Sequence, residues 1–395
     1  MFQLLTNTRV FAPEPLGTCC VLIAGEKIVW MGKNRPDLPK GPDVVEIDLS
    51  NKTLIPGFID PHLHLTGGGG EAGFHTRVSP LVLSDLTSAG ITTAVGVLGT
   101  DDLNRSPEEL LATARAFNHL GITAYCYTGG YHLPPRTITG SVRGDIVHID
   151  LMIGVGELAI SDHRSSQPTL DEFIKVASEA HVASLMSLKA GVMHIHLGDG
   201  KRGLELVRKA LEMSEIPARV FYPTHVNRKK ALFREALDLV ARGCSIDITA
   251  FPVGPDEDAF SAADAFEIYQ KKGLPKQLIT LSSDGGGCLP VFDAQGQVTS
   301  LDVGKPRALW ETFKELIVTK KHPIETVLGA FTLNISTLLR LQNKGRIHVG
   351  ADADLIAFDD HTTITDVMAR GRWYMTDKKL LSTDPFRKSA QGLSL

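Results

Sequence analysis

Short apolar runs recur along the chain, and the pattern around them changes twice. Near the start, Cys20 to Ala24, a Gly25-Glu26 turn and Lys27 to Trp30 have the alternation and punctuation of a β-hairpin, and Val44 to Asp48 reads as a further strand. From Gly57 onward, apolar runs at 58–64, 92–98, 122–127, 153–160, 194–197, 220–225, 245–249 and 279–283 alternate with segments of helical period. These eight runs mostly lie about 25 to 40 residues apart, the length that a strand with its following helix needs. Ser79-Pro80 predicts a helix start that Gly90 closes, and Ser106-Pro107-Glu108-Glu109 predicts a capping box before a helix ended by Gly121. Thr169-Leu170-Asp171-Glu172 is another box, and Leu232, Phe233, Ala236, Leu237 and Val240 share one helical face before Gly243. Beyond about Leu341 strand-like runs return, at 354–358 and within 364–375.

The expected fold is therefore α/β: a (β/α)₈ TIM-like barrel over residues 57–342, with a small β-sandwich domain formed from both termini, residues 1–56 and 343–395. The length of 395 residues accommodates this, since such a barrel takes roughly 250 residues alone. Four consecutive glycines, Gly67 to Gly70, predict a loop that is mobile or that approaches other backbone closely.

A net charge of −4 gives no footprint for nucleic acid or for an anionic membrane surface. No run of apolar residues is long enough to span a bilayer, and Met1 to Val10 does not have the form of a signal peptide. The five cysteines, Cys19, Cys20, Cys126, Cys244 and Cys288, are scattered and form no C-x-x-C pair. A reducing, cytoplasmic location is expected, and neither a disulfide framework nor a cysteine zinc site.

The chemistry begins at His62-Leu63-His64. In a strand, residues i and i+2 point to one side, so the two imidazoles face a common point, as a borderline metal such as zinc requires. The surrounding run, Pro56-Gly57-Phe58-Ile59-Asp60-Pro61-His62-Leu63-His64, resembles the opening of the barrel in the amidohydrolase superfamily. There the histidines sit at the C-terminal end of the first strand, where barrel active sites lie. His196, His225 and Asp284 follow at the ends of the fifth, sixth and eighth runs. A lone polar residue at a strand end is ordinarily structural, but a closed barrel brings these ends together around one point, which matches the superfamily's binuclear pattern.

Such a site also needs a bridging anion. Many superfamily members use a carbamylated lysine on the fourth strand; here Glu157 stands at the matching place. A carboxylate can lend one oxygen to each of two cations, but its side chain is several atoms shorter. Either the backbone must come closer or the metals must shift, and Gly156 is expected to permit the closer approach. The competing reading makes Glu157 a structural acid beside a single metal ion.

Longer stretches narrow the resemblance. Gly67-Gly68-Gly69-Gly70-Glu71-Ala72-Gly73, Leu98-Gly99-Thr100-Asp101, Thr137-Ile138-Thr139-Gly140-Ser141, Ile160-Ser161-Asp162-His163-Arg164 and Pro223-Thr224-His225-Val226-Asn227-Arg228 are similar to the isoaspartyl dipeptidase family. The similarity runs to the C-terminal Gly350-Ala351-Asp352-Ala353-Asp354-Leu355, which is common across the superfamily. The resemblance implies a β-aspartyl dipeptide substrate. It assigns the substrate ammonium to Glu71, its carboxylates to Arg164 and Arg228, and its carbonyl to Tyr131, with Thr100 as a further contact. Planar guanidinium groups suit bidentate carboxylate binding. Where the family usually has a serine that helps hold a carboxylate, this chain has Cys288, and a thiol is a weak donor.

The implied mechanism uses two zinc ions, one held by His62, His64, Glu157 and Asp284 and the other by Glu157, His196 and His225. A bridging water attacks the β-amide, and Asp284 takes its proton and returns it to the leaving amine, so that aspartate and a second amino acid are released. Two other functions remain open. The first is another amidohydrolase, a cyclic-imide hydrolase or an N-acyl amino acid deacylase, in which Glu71, Arg164 and Arg228 would have no paired charges to meet. The second is a barrel that serves only as a scaffold. The resemblance also implies a homo-oligomer.

Overall fold

All eight apolar runs expected between residues 58 and 283 form parallel strands in a computed structural model, which describes residues 2–37, 43–292 and 298–381. Six of them, Phe58–Leu63, Ile91–Gly96, Thr123–Thr128, Met152–Ile160, Val192–Leu197 and Phe221–Thr224, are hydrogen-bonded in sequential order. The seventh and eighth, Ile246–Thr249 and Ile279–Ser282, form a parallel pair of their own. Side chains and a bridge complete the circle. Between the sixth and seventh strands, Asn227 donates to the Thr249 carbonyl and accepts from its N–H, and Thr224 Oγ1 donates to Asp247. Between the eighth and first, Leu63 bridges Gly285, and the Ser283 hydroxyl and N–H reach the buried Asp60 carboxylate. The result is the TIM-like α/β barrel that strand and helix alternation predicts.

The helices follow the sequence signals where those signals are local. Ser106 Oγ accepts from Glu109 N at the head of Pro107–His119. Thr169 and Glu172 cap each other reciprocally at the head of Leu170–Ser187. Leu232, Phe233, Ala236, Leu237 and Val240 are all buried on Lys230–Ala241. The expected start at Ser79-Pro80 is displaced: the helix runs only over Leu83–Thr87, and its first turn is held by Asp85 accepting from Val82 N. Residues 78–81 are instead drawn onto the glycine loop, because Val78 N donates to Gly68 O and Leu81 N to Leu65 O.

That loop is the close-approach kind. A Cβ on Gly67 would lie 2.1 Å from the Val78 carbonyl oxygen, and one on Gly69 2.5 Å from that of Thr76. The buried Arg105 guanidinium donates to the carbonyls of Thr66 and Gly69 and so pins the loop over the mouth of the barrel.

Strands from both ends of the chain join in one nine-stranded sheet. Its central junction pairs Thr53–Pro56 antiparallel with Leu355–Phe358, and the expected hairpin appears as Pro15–Ala24 against Lys27–Gly32. Two contacts fix this sheet to the barrel. Phe58 of the first barrel strand stacks on Phe331 at 5.1 Å and meets Trp310, which in turn meets Phe358 of the terminal sheet at 5.5 Å. Aromatic pairs of this kind contribute about 0.5–1.5 kcal/mol each beyond area burial. The buried Lys344 ammonium bonds Asp352 and Asp354, the two acids of the C-terminal motif, and the Thr123 hydroxyl of the third barrel strand. The acids of that motif are thus structural.

Candidate active site

The C-terminal ends of the barrel strands converge on one buried cluster. His62 lies on the first strand and His64 just past it; Glu157 lies within the fourth, His196 within the fifth, and His225 and Asp284 just past the sixth and eighth. All six are at most 6% exposed. Three residues at these strand ends, Ser161, His225 and Asp284, have left-handed backbone with φ of 51°, 59° and 53°. Non-glycine residues adopt this region at a cost, and such positions concentrate at functional sites.

Ligand-type atoms from the separate strands lie close together in this cluster. Asp284 Oδ1 is 3.4 Å from His62 Nε2 and 3.1 Å from His64 Nε2. Glu157 Oε2 is 3.5 Å from His62 Nε2 and 3.7 Å from His64 Nε2. Glu157 Oε1 is 2.9 Å from His225 Nε2 and 2.6 Å from His196 Nδ1. One carboxylate therefore turns one oxygen to the first-strand histidines and the other to those of the fifth and sixth strands. His62 Nε2, Glu157 Oε2 and Asp284 Oδ1 are buried and have no hydrogen-bond partner among the described residues. Orphaned polar atoms of this kind are costly, and a metal ion is the partner that imidazole and carboxylate donors share. Two triads could each hold a cation by proximity, His62 with His64 and Asp284, and His62 with Glu157 and His225; they share His62, and His196 belongs to neither. The donor set fits a metal centre.

The reach of Glu157 depends on its neighbour. Gly156 has φ of +144°, and a Cβ there would lie 2.4 Å from the His194 carbonyl oxygen. Only glycine lets the fourth strand press this close to the fifth, as the shorter carboxylate was expected to require.

Charge follows from the same crowding. Burial raises the Glu157 pKa, but His62 and His196 and the hydrogen bonds from His196 and His225 outweigh it and hold the acid well below its usual range. Asp284 is likewise well below its ordinary value, with burial opposed by His62 and His64. Burial, aided by Glu157, pushes Tyr131 well above the usual phenol value, so its hydroxyl keeps its proton. Burial and then Glu71 push Cys288 up to about 12, which leaves a neutral thiol and no nucleophile.

Every expected substrate residue lines one cavity of about 630 Å³ over the cluster: Glu71, Thr100, Tyr131, Arg164, Arg228 and Cys288. Tyr131 Oη lies 2.8 Å from His196 Nδ1. Arg164 bonds Glu71 Oε1 at 3.0 Å, whereas Glu71 Oε2 is buried without a partner among the described residues. Arg228 Nη1 donates to the Leu197 carbonyl.

Four residues of the site carry no role in the sequence reading. Asp162 is buried between Arg164, which it holds through both oxygens, and His196 Nε2 at 2.9 Å. It sits inside the Ser-Asp-His-Arg motif, and that placement was the available signal. His194 Nε2 lies 2.8 Å from His62 Nδ1, and Thr249 Oγ1 lies 2.8 Å from His225 Nδ1. Asp247 accepts from the hydroxyls of Thr224, Thr280 and Ser282 beneath the cluster. Asp162, His194 and Thr249 thus orient the imidazoles of the cluster from behind, and Asp247 braces the strand ends beneath them.

The barrel, its histidine and carboxylate ring and the cavity above define a hydrolase of a known kind. The chain belongs to the amidohydrolase family, whose model matches residues 53–374. Within that family its fold and sequence are similar to those of the β-aspartyl dipeptidase of Fervidobacterium islandicum AW-1, solved in complex with the β-Asp-Leu dipeptide. The two are 40% identical over 98% of this chain and 99% of that one, with a TM-score of 0.92. A dihydropyrimidinase of Brevibacillus agri NCHU1002 shares the fold at 17% identity, over 97% of each chain, with a TM-score of 0.65. A deacetylase of Agrobacterium fabrum is 24% identical over 357 residues, 86% of this chain and 78% of its own length.

Proposed function

We propose that the protein hydrolyses the β-aspartyl amide bond of dipeptides, releasing aspartate and a second amino acid. The observation that carries this reading is Glu71 Oε2, a buried carboxylate oxygen without a partner among the described residues, in the same cavity as two arginines and the metal-ligand ring. A β-aspartyl dipeptide has one ammonium and two carboxylates around its amide, and these charges complement Glu71, Arg164 and Arg228.

His62, His64, Glu157, His196, His225 and Asp284 would hold two zinc ions, with Glu157 shared between them. When bound, two such cations acidify a water and polarise the amide carbonyl. The chain's own residues do the rest. Glu71 receives the ammonium, and Arg164 and Arg228 receive the carboxylates, with Thr100 and Cys288 completing the wall. This fixes the scissile carbonyl. The Tyr131 hydroxyl donates to the oxygen that gains charge as the carbonyl becomes tetrahedral. Asp284, ionised before reaction, accepts the proton of the attacking water and returns it to the leaving amine.

The same reading takes residues 57–342 as the hydrolase barrel, and 1–56 with 343–395 as one small β-sandwich domain. The pairing of Thr53–Pro56 with Leu355–Phe358 supports that division. Five unpaired cysteines support a reducing, cytoplasmic location, and no helix of the described residues is long and apolar enough to cross a membrane. The family resemblance supports a homo-oligomer.

N-succinyl-leucine is β-Asp-Leu without its ammonium group, and comparing the two tests the proposal against an N-acyl amino acid deacylase. Glu71 keeps Arg164 on Oε1, so loss of the ammonium leaves one buried carboxylate oxygen unsatisfied, at a cost of about 1–3 kcal/mol. The kcat/KM for β-Asp-Leu is therefore expected to exceed that for N-succinyl-leucine by about tenfold or more. Equal or better cleavage of the succinyl compound would favour the deacylase.

A further inference from the structure

We infer that His132 is a positioning residue whose doubly protonated imidazole ties together three of the loops that carry the substrate contacts, those of Thr100, Tyr131 and Arg164. The inference rests on the proposed roles of Tyr131 and Arg164. His132 follows Tyr131 directly, on the loop after the third barrel strand. Its Nδ1 lies 3.1 and 3.2 Å from the two carboxylate oxygens of Asp102, on the loop after the second strand. Its Nε2 lies 3.1 Å from the carbonyl oxygen of Arg164, on the loop after the fourth.

The protonation state follows from the partners. A carbonyl oxygen can only accept a hydrogen bond, and an ionised carboxylate can only accept. Both ring nitrogens must therefore donate, and only the imidazolium has two N–H groups. The charged groups around the ring agree with this. Asp102 is 4% exposed, and it also accepts from the His132 main-chain N–H at 3.3 Å. Arg136 donates to the main-chain carbonyl of Asp102 and is not bonded to its carboxylate. The Arg164 guanidinium is turned away toward Asp162 and Glu71. The bond to Asp102, opposed by burial, raises the His132 pKa.

The surroundings are built around this contact. A Cβ on Gly130 would lie 2.6 Å from the Asp102 Cβ, so a side chain there would push Asp102 off the ring. The Tyr131 carbonyl accepts from Ala159 N, and the Arg164 guanidinium carbon lies 5.5 Å from the centre of the Tyr131 ring. A shift of the His132 loop therefore moves the hydroxyl that meets the carbonyl and the cation that meets the carboxylate together.

Amide side chains separate the two bonds, since Asn can reproduce the Nδ1 donor toward Asp102 and Gln the Nε2 donor toward Arg164. In the metal-loaded enzyme, H132N and H132Q are each expected to lower kcat/KM for β-Asp-Leu by about tenfold. H132A is expected to lower it by about a hundredfold, the loss that misplacement by an ångström produces, with kcat and KM both affected and metal content unchanged. Kinetic constants within twofold of wild type for H132A would overturn the inference. Nitrogen-15 spectra of histidine-labelled holoenzyme, with the His132 signal assigned by its absence in H132Q, test the protonation state without any substrate. The expected result is an imidazolium at pH 7.5 that becomes neutral at that pH in D102N; a neutral His132 ring in the wild type at pH 7.5 would overturn it. A wild type that leaves β-Asp-Leu intact would defeat the substrate reading alone, and the spectra would still decide the protonation state.

Discussion

Replacing Glu157 by Gln is expected to lower kcat/KM for a β-aspartyl dipeptide by roughly a thousandfold, because metal-ion stabilisation of transition-state charge is worth several kcal/mol. The loss should be accompanied by a fall in bound metal. Among the described residues, Glu157 is the acid placed between the histidines of the first strand and those of the fifth and sixth, at 3.5 and 3.7 Å on one side and 2.9 and 2.6 Å on the other. An amide keeps the shape and removes the charge, leaving the imidazole ring without its central anion. Metal analysis beside kinetics separates the two readings of this residue. Two equivalents in the wild type and one or fewer in E157Q support a bridge. One equivalent in the wild type at saturation means a mononuclear site and a structural acid. The converse exchange, Glu157→Lys, restores the side chain that many relatives carbamylate. It is expected to be inactive until bicarbonate supplies the missing carboxylate, and full activity without bicarbonate would contradict the account.

Tyr131→Phe is expected to reduce kcat by about 10²–10³-fold with little change in KM, the loss seen when one oxyanion donor is removed. The hydroxyl is buried, keeps its proton, and lies in the cavity wall beside the metal-ligand ring. Its donor strength is needed as negative charge collects on the carbonyl oxygen, which is why the effect belongs in kcat. A raised KM with unchanged kcat would instead make Tyr131 a ground-state contact. Melting temperature should be nearly unchanged, since the ring and its packing against His196 at 4.4 Å are retained.

The fold was legible because its strands announce themselves in apolar runs, and because a closed barrel converts sequence order into spatial order. His62, His196, His225 and Asp284 lie far apart in the chain, yet they share one end of one circle. Local helix signals held where the cap decided the start, as at Ser106 and Thr169. The Ser79-Pro80 signal failed because a tertiary contact, the glycine loop, competed for the same backbone. The charged residues that line the cavity were legible only through motif similarity, since an arginine on a loop is ordinarily a surface residue. Asp162, Asp247 and His194 escaped notice for a physical reason. Their roles are to hold other side chains, and a supporting contact leaves no periodicity and no spacing of its own. Gly156 shows the opposite case, in which one missing side chain records how near two strands must come.

A metal-loaded site of this geometry is expected to cleave β-linked and not α-linked aspartyl dipeptides. The most direct test is hydrolysis of β-Asp-Leu beside α-Asp-Leu, with and without a chelator, followed by release of free leucine. Cleavage of β-Asp-Leu alone is expected, abolished by the chelator and restored by added zinc. Cleavage of neither peptide by protein shown to contain metal would contradict it and would direct attention to cyclic imides and N-acyl amino acids.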